Sequence, residues 1–380
     1  MSAAPARRRL VLVGGGHAHV LVLRDFARRA EPNVDLTLVT KDERTPYSGM
    51  LPGHVAGLYR RDAMHIDLSR LAERSGARLV HDEAVGFDRA GRRVLLKAGP
   101  SVPYDVLSID IGITPDLSAI AGAREHALAV KPIGDFLDKW EELKARALGP
   151  GGPRRFAVVG GGAAGLCLVF AATAALRREA AERGLDVARF AFHLVSAAPP
   201  PELNAGMRRA VVRALERHGI VLHESEAAVA IDPDGVTLAG GRRIAADAAL
   251  ISTQAVPPPA LRGSGLATEA HGFLALRPTL QVEGEDGVFA AGDCATVLAH
   301  PRPKAGVYAV RQGPALARNL RRCLRGEALL SFVPQERHLM ILSTADGRAI
   351  AGRGAWLSYE GRAAWWLKDW IDRRFMRQFS

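Results

Sequence analysis

Two glycine clusters carry the chemistry this chain is equipped for: Gly14-x-Gly16 and Gly160-x-Gly162-x-x-Gly165. Each stands between a short apolar run, Leu10–Val13 or Phe156–Val159, and a helical pattern. The chemistry that suits them is the holding of a pyrophosphate. The first glycine permits a tight turn, the second lets backbone approach the phosphates, and the helix N-terminus attracts the anion. The second cluster is a complete fingerprint. In the first, His19 stands where the third glycine belongs, so its helix is expected to sit slightly further from the strand. For the second loop the alternative is a tight turn that packs a helix and binds nothing. The strands that follow end without the usual ribose-binding acid. Thr40 and Lys41 precede Asp42 in the first, and Ser196 closes the second. The choice between NAD and NADP therefore stays open. One bound flavin dinucleotide and one transient nicotinamide dinucleotide would let a hydride pass between two stacked rings.

Other reactive side chains are less telling. His17 and His19 flank the first loop, where they contact a flavin phosphate or bond locally within the turn; both readings stay open. Cys167, Cys294 and Cys323 form no CxxC pair and are expected to be buried and inert. No metal site is expected, and no catalytic side chain.

The elements that position the loops occur twice in the same order. From Leu10 and from Phe156 the chain reads as strand, glycine loop, helix and strand. Next come a helix and strand (Leu71–His81; Ala214–His223), a three-stranded meander opening at Ala84 or Ala228, and an apolar strand, Val106–Ile109 or Ala248–Ile251. The first helix is expected over 18–30 and the second over 163–183. After Pro257-Pro258-Pro259 come Val288–Cys294 and a helical pattern over 306–325.

The 380 residues allow two to three domains. Hydrophobic residues at 48% and charged residues at 24% exclude global disorder. Three cysteines exclude a disulfide scaffold and favour a reducing compartment. Lys+Arg of 51 against 40 acids, net +11, is compatible with anionic partners, but an arginine-rich genome accounts for most of it. The longest apolar run, near 163–176, is shorter than the roughly 18 residues a spanning helix needs. Arg7–Arg9 before Leu10–Val13 mimics a signal peptide, but the glycines interrupt it; a cytoplasmic chain starting near Met1 is expected.

The chain resembles the pyridine nucleotide–disulfide oxidoreductase superfamily of flavoproteins. Within it, the chain is similar to type II NADH dehydrogenases and sulfide:quinone oxidoreductases, and to flavoproteins found alone or fused ahead of selenide, water dikinase. The residues that carry the resemblance are 13–19, 45–53, 104–112, 288–295 and 304–309. No kinase portion is expected within the 380 residues. The resemblance implies that Gly14, Gly16, His17 and Ala18 hold the FAD pyrophosphate, with Thr40 and Lys41 by the adenosine ribose. It also implies that Met50, Leu51 and Pro52 flank the ring system. Asp293, after Gly292, would bind a ribityl hydroxyl. Val307 and Tyr308 would aim a helix N-terminus at the pyrimidine edge, stabilising reduced flavin. Gly160, Gly162 and Gly165 would hold NAD(P)H. Three departures bear on nicotinamide use: Ser196, Cys167 where related dehydrogenases have glutamate, and Thr253-Gln254 where they have Thr-Gly.

Near the C-terminus, Trp366, Leu367, Trp370, Ile371 and Phe375 recur at helical spacing among Arg362, Lys368, Arg373, Arg374 and Arg377. This is the composition of an interfacial anchor; the alternative is a helix packed on the flavin domain with its arginines in water. Nucleic-acid binding is not expected.

The expected fold is α/β, with two Rossmann-like three-layer FAD/NAD(P)-binding domains and a small C-terminal region. A discontinuous FAD domain spans 1–120 and 257–335, an NAD(P) domain 121–256, and the C-terminal region 336–380. The expected function is transfer of hydride from NAD(P)H to FAD and of electrons to a quinone-like acceptor. The location is cytoplasmic, with peripheral contact at the inner face of a membrane, and the oligomeric state is open. The alternatives are a flavin-binding sensor or docking module with a degenerate NAD(P) site, and an oxidoreductase of a sulfur or selenium compound.

Overall fold

Short runs of apolar residues with no polar alternation form parallel strands buried on both faces. The computed structural model, which describes residues 7–200, 202–253 and 255–380, arranges them in two five-stranded parallel sheets. The first sheet runs Val288–Ala290, Val106–Ile109, Arg8–Val13, Val34–Thr40, Arg78–His81. The second runs Ala127–Ala129, Ala248–Ile251, Arg155–Val159, Ala191–Ser196, Ile220–Glu224. The positional correspondence between the sheets is complete. In each, the strand before the glycine loop lies at the centre, and the strand closing the repeat lies beside it. The fifth strand of the first sheet comes from beyond the whole second sheet, so the chain leaves the first sheet and returns.

The antiparallel meanders also correspond. Both shift register in their first strand, between Ala84 and Gly86 and between Ala228 and Ala230. In the second unit, Ala157 and Val159 point to a cluster with Val236, Leu238 and Ile244 of the meander. Phe156 and Val158 point the other way, to Phe170 on the helix Ala163–Glu182 and to Phe136 and Trp140 on Ile133–Leu148. That alternation makes three layers, and the fold is α/β with two Rossmann-like units.

The loop helices run His17–Arg28 and Ala163–Glu182, ending two residues and one residue earlier than expected. The His19 ring is fully buried and bonded, Nδ1 to Gly14 O at 2.7 Å and Nε2 to Ser108 Oγ at 2.8 Å. The imidazole thus ties the helix to its own loop and to the neighbouring strand, so the local reading holds for His19. Gln254 lies outside the described residues.

The C-terminal region is a three-stranded antiparallel sheet, Met340–Ser343, Ala349–Arg353 and Leu357–Gly361, followed by the helix Arg362–Met376. That helix is packed along one edge and exposed along another. Ala364, Lys368, Asp372 and Phe375 are buried, while Trp366 and Trp370 are 66% and 49% exposed. Lys368, which the sequence reading counted among the basic residues around the apolar stripe, lies inside. Its ammonium donates to Gly49 O at 2.7 Å and pairs with Asp372.

Candidate functional site

Both glycine loops are constrained by what surrounds them. Gly14 has φ of 96°, and a Cβ there would lie 2.3 Å from Asp110 O. Gly160 has φ of 120°, and a Cβ there would lie 2.3 Å from Ser252 O. Those conformations and those backbone neighbours admit glycine alone. A Cβ on Gly165 would fall 1.8 Å from Gly160 O, so the third glycine lets the helix pack on the loop. Around Gly162, in contrast, a Cβ meets nothing within 4 Å, and the helix N-terminus there has no side-chain cap. That end is open to a ligand.

At the first loop several sequence-predicted residues come together. Asp293 ion-pairs with Lys131 at 3.0 Å. Gly292, at φ of 72°, donates its N–H to Gln312 Oε1 at 2.7 Å. Gln312 lies on the helix Gly306–Arg325, whose first turn holds Val307 and the buried Tyr308. Lys304, just before it, donates to Ala295 O at 2.6 Å and Thr296 Oγ1 at 2.8 Å, fixing that helix start against Ala295–Val297. Met50 and Leu51 are buried, and Pro52 opens the short helix Leu51–Val55. Phe375 of the C-terminal helix stacks on Tyr47 at 4.5 Å, and Tyr47 meets the edge of His17 at 5.5 Å. Thr40 is buried with its hydroxyl bonded to Asp42 O at 3.0 Å, and Lys41 is exposed.

Lys131, Gln312 and Asp110 escaped sequence reasoning. Asp110 had a readable signal: a carboxylate directly after an apolar strand, at the carboxyl end where ligands of open α/β sheets gather.

Of the seven buried side-chain polar atoms that lack partners among the described residues, two stand at the loops, one at each: His17 Nε2 and Thr253 Oγ1. Thr253 adjoins Gly160, its N lying 3.1 Å from where a Cβ on that residue would be. Orphaned buried polar atoms are costly and call for a bonding partner. Burial pushes His17 down to about 4, so it is a neutral imidazole at pH 7. FAD at the first loop and a nicotinamide dinucleotide at the second would supply hydroxyls and phosphate oxygens at such positions, so the residues present fit both groups. At the second loop the Ser196 hydroxyl turns inward. It donates to Ala198 O at 2.7 Å, and its Oγ lies 1.9 Å from where a Cβ on Gly161 would be.

Burial pushes the Cys167 and Cys294 thiols up, to about 11 and about 12. Cys323 is only half-buried, a correction to the expectation for all three. Alkylation of the native protein at about pH 8, read by mass spectrometry, is expected to label Cys323 slowly and the others not at all. Rapid labelling of Cys167 would contradict the geometry. No cluster of three metal-ligating side chains occurs among the described residues.

Two parallel dinucleotide units, each with a glycine loop at a helix N-terminus, define a flavin- and nicotinamide-dependent oxidoreductase. Residues 8–313 match the family model described as pyridine nucleotide-disulphide oxidoreductase, and the chain belongs to that family. It is 24% identical over 393 residues to a type II NADH:quinone oxidoreductase of Staphylococcus epidermidis, covering 98% of this chain and 96% of the relative. Among solved structures it is similar to the sulfide:quinone oxidoreductase of Aquifex aeolicus, with a TM-score of 0.80 at 17% identity, covering 98% of this chain and 91% of that one. It is also similar to the water-forming NADH oxidase of Lactobacillus brevis, with a TM-score of 0.73 at 17% identity, covering 92% and 75%.

Proposed function

We propose that this chain is an FAD-dependent NAD(P)H dehydrogenase that passes electrons to a quinone-like acceptor at a membrane surface. The observation that carries this reading is the C-terminal helix. One edge reaches the first glycine loop through Phe375 and Tyr47, and the other presents Trp366, Leu367 and Trp370 to solvent. A lipid-borne acceptor needs such a path from bilayer to flavin. The names of the quinone-reducing relatives agree with it.

Bound FAD supplies the two-electron chemistry, taking a hydride from NAD(P)H and releasing electrons to the acceptor. In this reading Gly14, Gly16, His17 and Ala18 hold the FAD pyrophosphate, and Thr40 and Lys41 edge the adenosine ribose. Asp293, oriented by Lys131, takes a ribityl hydroxyl. Met50, Leu51 and Pro52 wall the ring, and the helix opening at Val307 and Tyr308 places its positive end at the pyrimidine edge. Gly160, Gly162 and Gly165 hold the nicotinamide dinucleotide. Residues 1–120 with 257–335 form the FAD domain, 121–256 the NAD(P) domain and 336–380 the C-terminal region. A version of sulfur or selenium chemistry that uses protein thiols is not favoured: Cys167 and Cys294 are buried and protonated, and the half-buried Cys323 lies beside Arg8, at the far end of the helix Gly306–Arg325 from Tyr308.

The test is anaerobic reoxidation. Flavin reduced by NADH or NADPH is expected to reoxidise on adding a short-chain quinone; flavin that stays reduced under excess quinone would overturn the acceptor assignment. Among the described residues no helix is long and apolar enough to cross a membrane; in this reading the exposed tryptophans make a peripheral contact, at the inner face. Trp366→Gln/Trp370→Gln, on the exposed edge, is expected to lower co-sedimentation with anionic liposomes at least about tenfold. Unchanged sedimentation would remove the membrane part of the proposal.

A further inference from the structure

Asp110 follows the strand Val106–Ile109 and is buried. Its Oδ2 accepts from the N–H groups of Ala18 at 2.8 Å and His19 at 2.9 Å. These are the second and third amides of the helix His17–Arg28, donors that a helix cannot satisfy from within. Gly16 holds the cap position and has no side chain to offer, so Asp110 caps the helix from a neighbouring strand. The fit is close. A Cβ on Gly16 would lie 2.3 Å from the Asp110 carboxyl carbon, and one on Gly292 2.3 Å from its Oδ1. Gly16 and Gly292, which the family resemblance places at the flavin nucleotide, therefore also clear space for this carboxyl.

A helix N-terminus carries about half a positive charge, favourable to one anion and insufficient for two. A dinucleotide pyrophosphate at this loop would bring further negative charge to the end Asp110 already occupies. The orphaned His17 Nε2 is the observation that independently calls for a ligand there.

We propose that Asp110 is a cofactor-binding residue that admits FAD as a neutral acid, so that FAD binding takes up one proton at this carboxyl. The inference rests on the FAD reading of the first loop. The balance is simple: carboxylate, proton and FAD give carboxylic acid and bound FAD, with no electron moved. The neutral group keeps its acceptor oxygen on the two amides and gains an O–H donor.

The charged and titratable groups around it fit this assignment. From the helix it caps, the His17 and His19 rings face the loop, and burial keeps both neutral. From the segment after Ala291 come Asp293, which Lys131 pairs, and the protonated Cys294. Lys304 is held by Ala295 and Thr296 and lies over Phe273 at 4.1 Å. Burial already pushes Asp110 up to about 7, against the pull of its amide bonds and with help from the Asp293 charge.

The sign follows by linkage. The bound state raises the carboxyl's proton affinity, so binding is tightest below the free protein's titration near 7 and weakens as pH rises through it. With full-length protein stripped of FAD and titrated with FAD by flavin fluorescence, Kd is expected to rise up to about tenfold per unit between about pH 7 and 9. Asp110→Asn is expected to abolish that slope. An equal slope in Asp110→Asn, or a flat wild type, would overturn the proposal. If that variant does not fold, calorimetry of FAD binding to the wild type, in two buffers of different ionisation enthalpy, counts the protons directly. Close to one taken up near pH 8 supports the assignment, and none overturns it. Flavin that binds with proton uptake but is not reduced by NAD(P)H would sink the functional reading and leave this one standing. FAD binding without uptake, followed by normal reduction, would do the reverse.

Discussion

Gly165→Val is expected to stop NADH and NADPH from reducing the bound flavin while leaving FAD in place. The position has no room. A Cβ would sit 1.8 Å from Gly160 O, a backbone atom whose own residue is held at φ of 120°. The helix Ala163–Glu182 must move away, carrying with it the N-terminal amides beside the open Gly162. A displacement of about 1 Å in a positioning element costs on the order of 100-fold in rate. Stopped-flow bleaching under anaerobic conditions reads the effect directly, and the flavin spectrum before mixing reports retained FAD. Wild-type bleaching in the variant would mean that the nicotinamide dinucleotide does not use this loop.

Lys368→Met is expected to destabilise the protein by about 3–5 kcal/mol at neutral pH, the range for breaking a buried ion pair. Lys368 and Asp372 are 10% and 5% exposed, and the ammonium also holds Gly49 O at 2.7 Å. Gly49 belongs to the segment leading into Met50, Leu51 and Pro52, so this pair couples the C-terminal helix to the proposed ring wall. Burial already holds the Asp372 carboxyl above its ordinary range, and losing the lysine raises it further. A folded-state pKa above the unfolded one favours folding at low pH, and that advantage fades as pH rises through it. The loss should therefore be smaller near pH 5 than near pH 8. Thermal unfolding across that range checks the sign. Lys368→Met/Asp372→Leu, which removes both charges, should recover much of the stability. A wild-type melting temperature in the single variant would show that the pair is not buried as described.

What the sequence disclosed follows from physics that acts locally. Strand–glycine–helix order, the twofold repeat and the buried parallel strands are written in short apolar runs and in turns that only Gly14 or Gly160 can adopt. The residues missed act across long sequence separations. Asp110 caps a helix that begins more than ninety positions earlier in the chain. Lys131 reaches Asp293, and Lys368 reaches Gly49. Each is ordinary in its own neighbourhood and acquires meaning only in the folded chain: Asp110 because Val106–Ile109 lies beside Arg8–Val13, Lys131 because Val288–Ala290 returns to that sheet, and Lys368 because the C-terminal helix reaches Tyr47 and Gly49. His19 shows the converse: a local pattern read it as a spoiled fingerprint, and its bonds to Gly14 and Ser108 make it a structural tie. Trp366 and Phe375 look alike in a helical pattern, yet one faces solvent and the other packs on Tyr47.

Hydride transfer between the two dinucleotide sites is tested most directly by anaerobic titration of the purified full-length protein with NADH and, separately, NADPH, following flavin absorbance. Bleaching complete at close to one equivalent of at least one nucleotide is the result expected of two coupled dinucleotide sites, and it names the donor. Bound FAD that stays oxidised under excess of both would contradict the account, leaving a flavin-binding protein whose second glycine loop delivers no hydride.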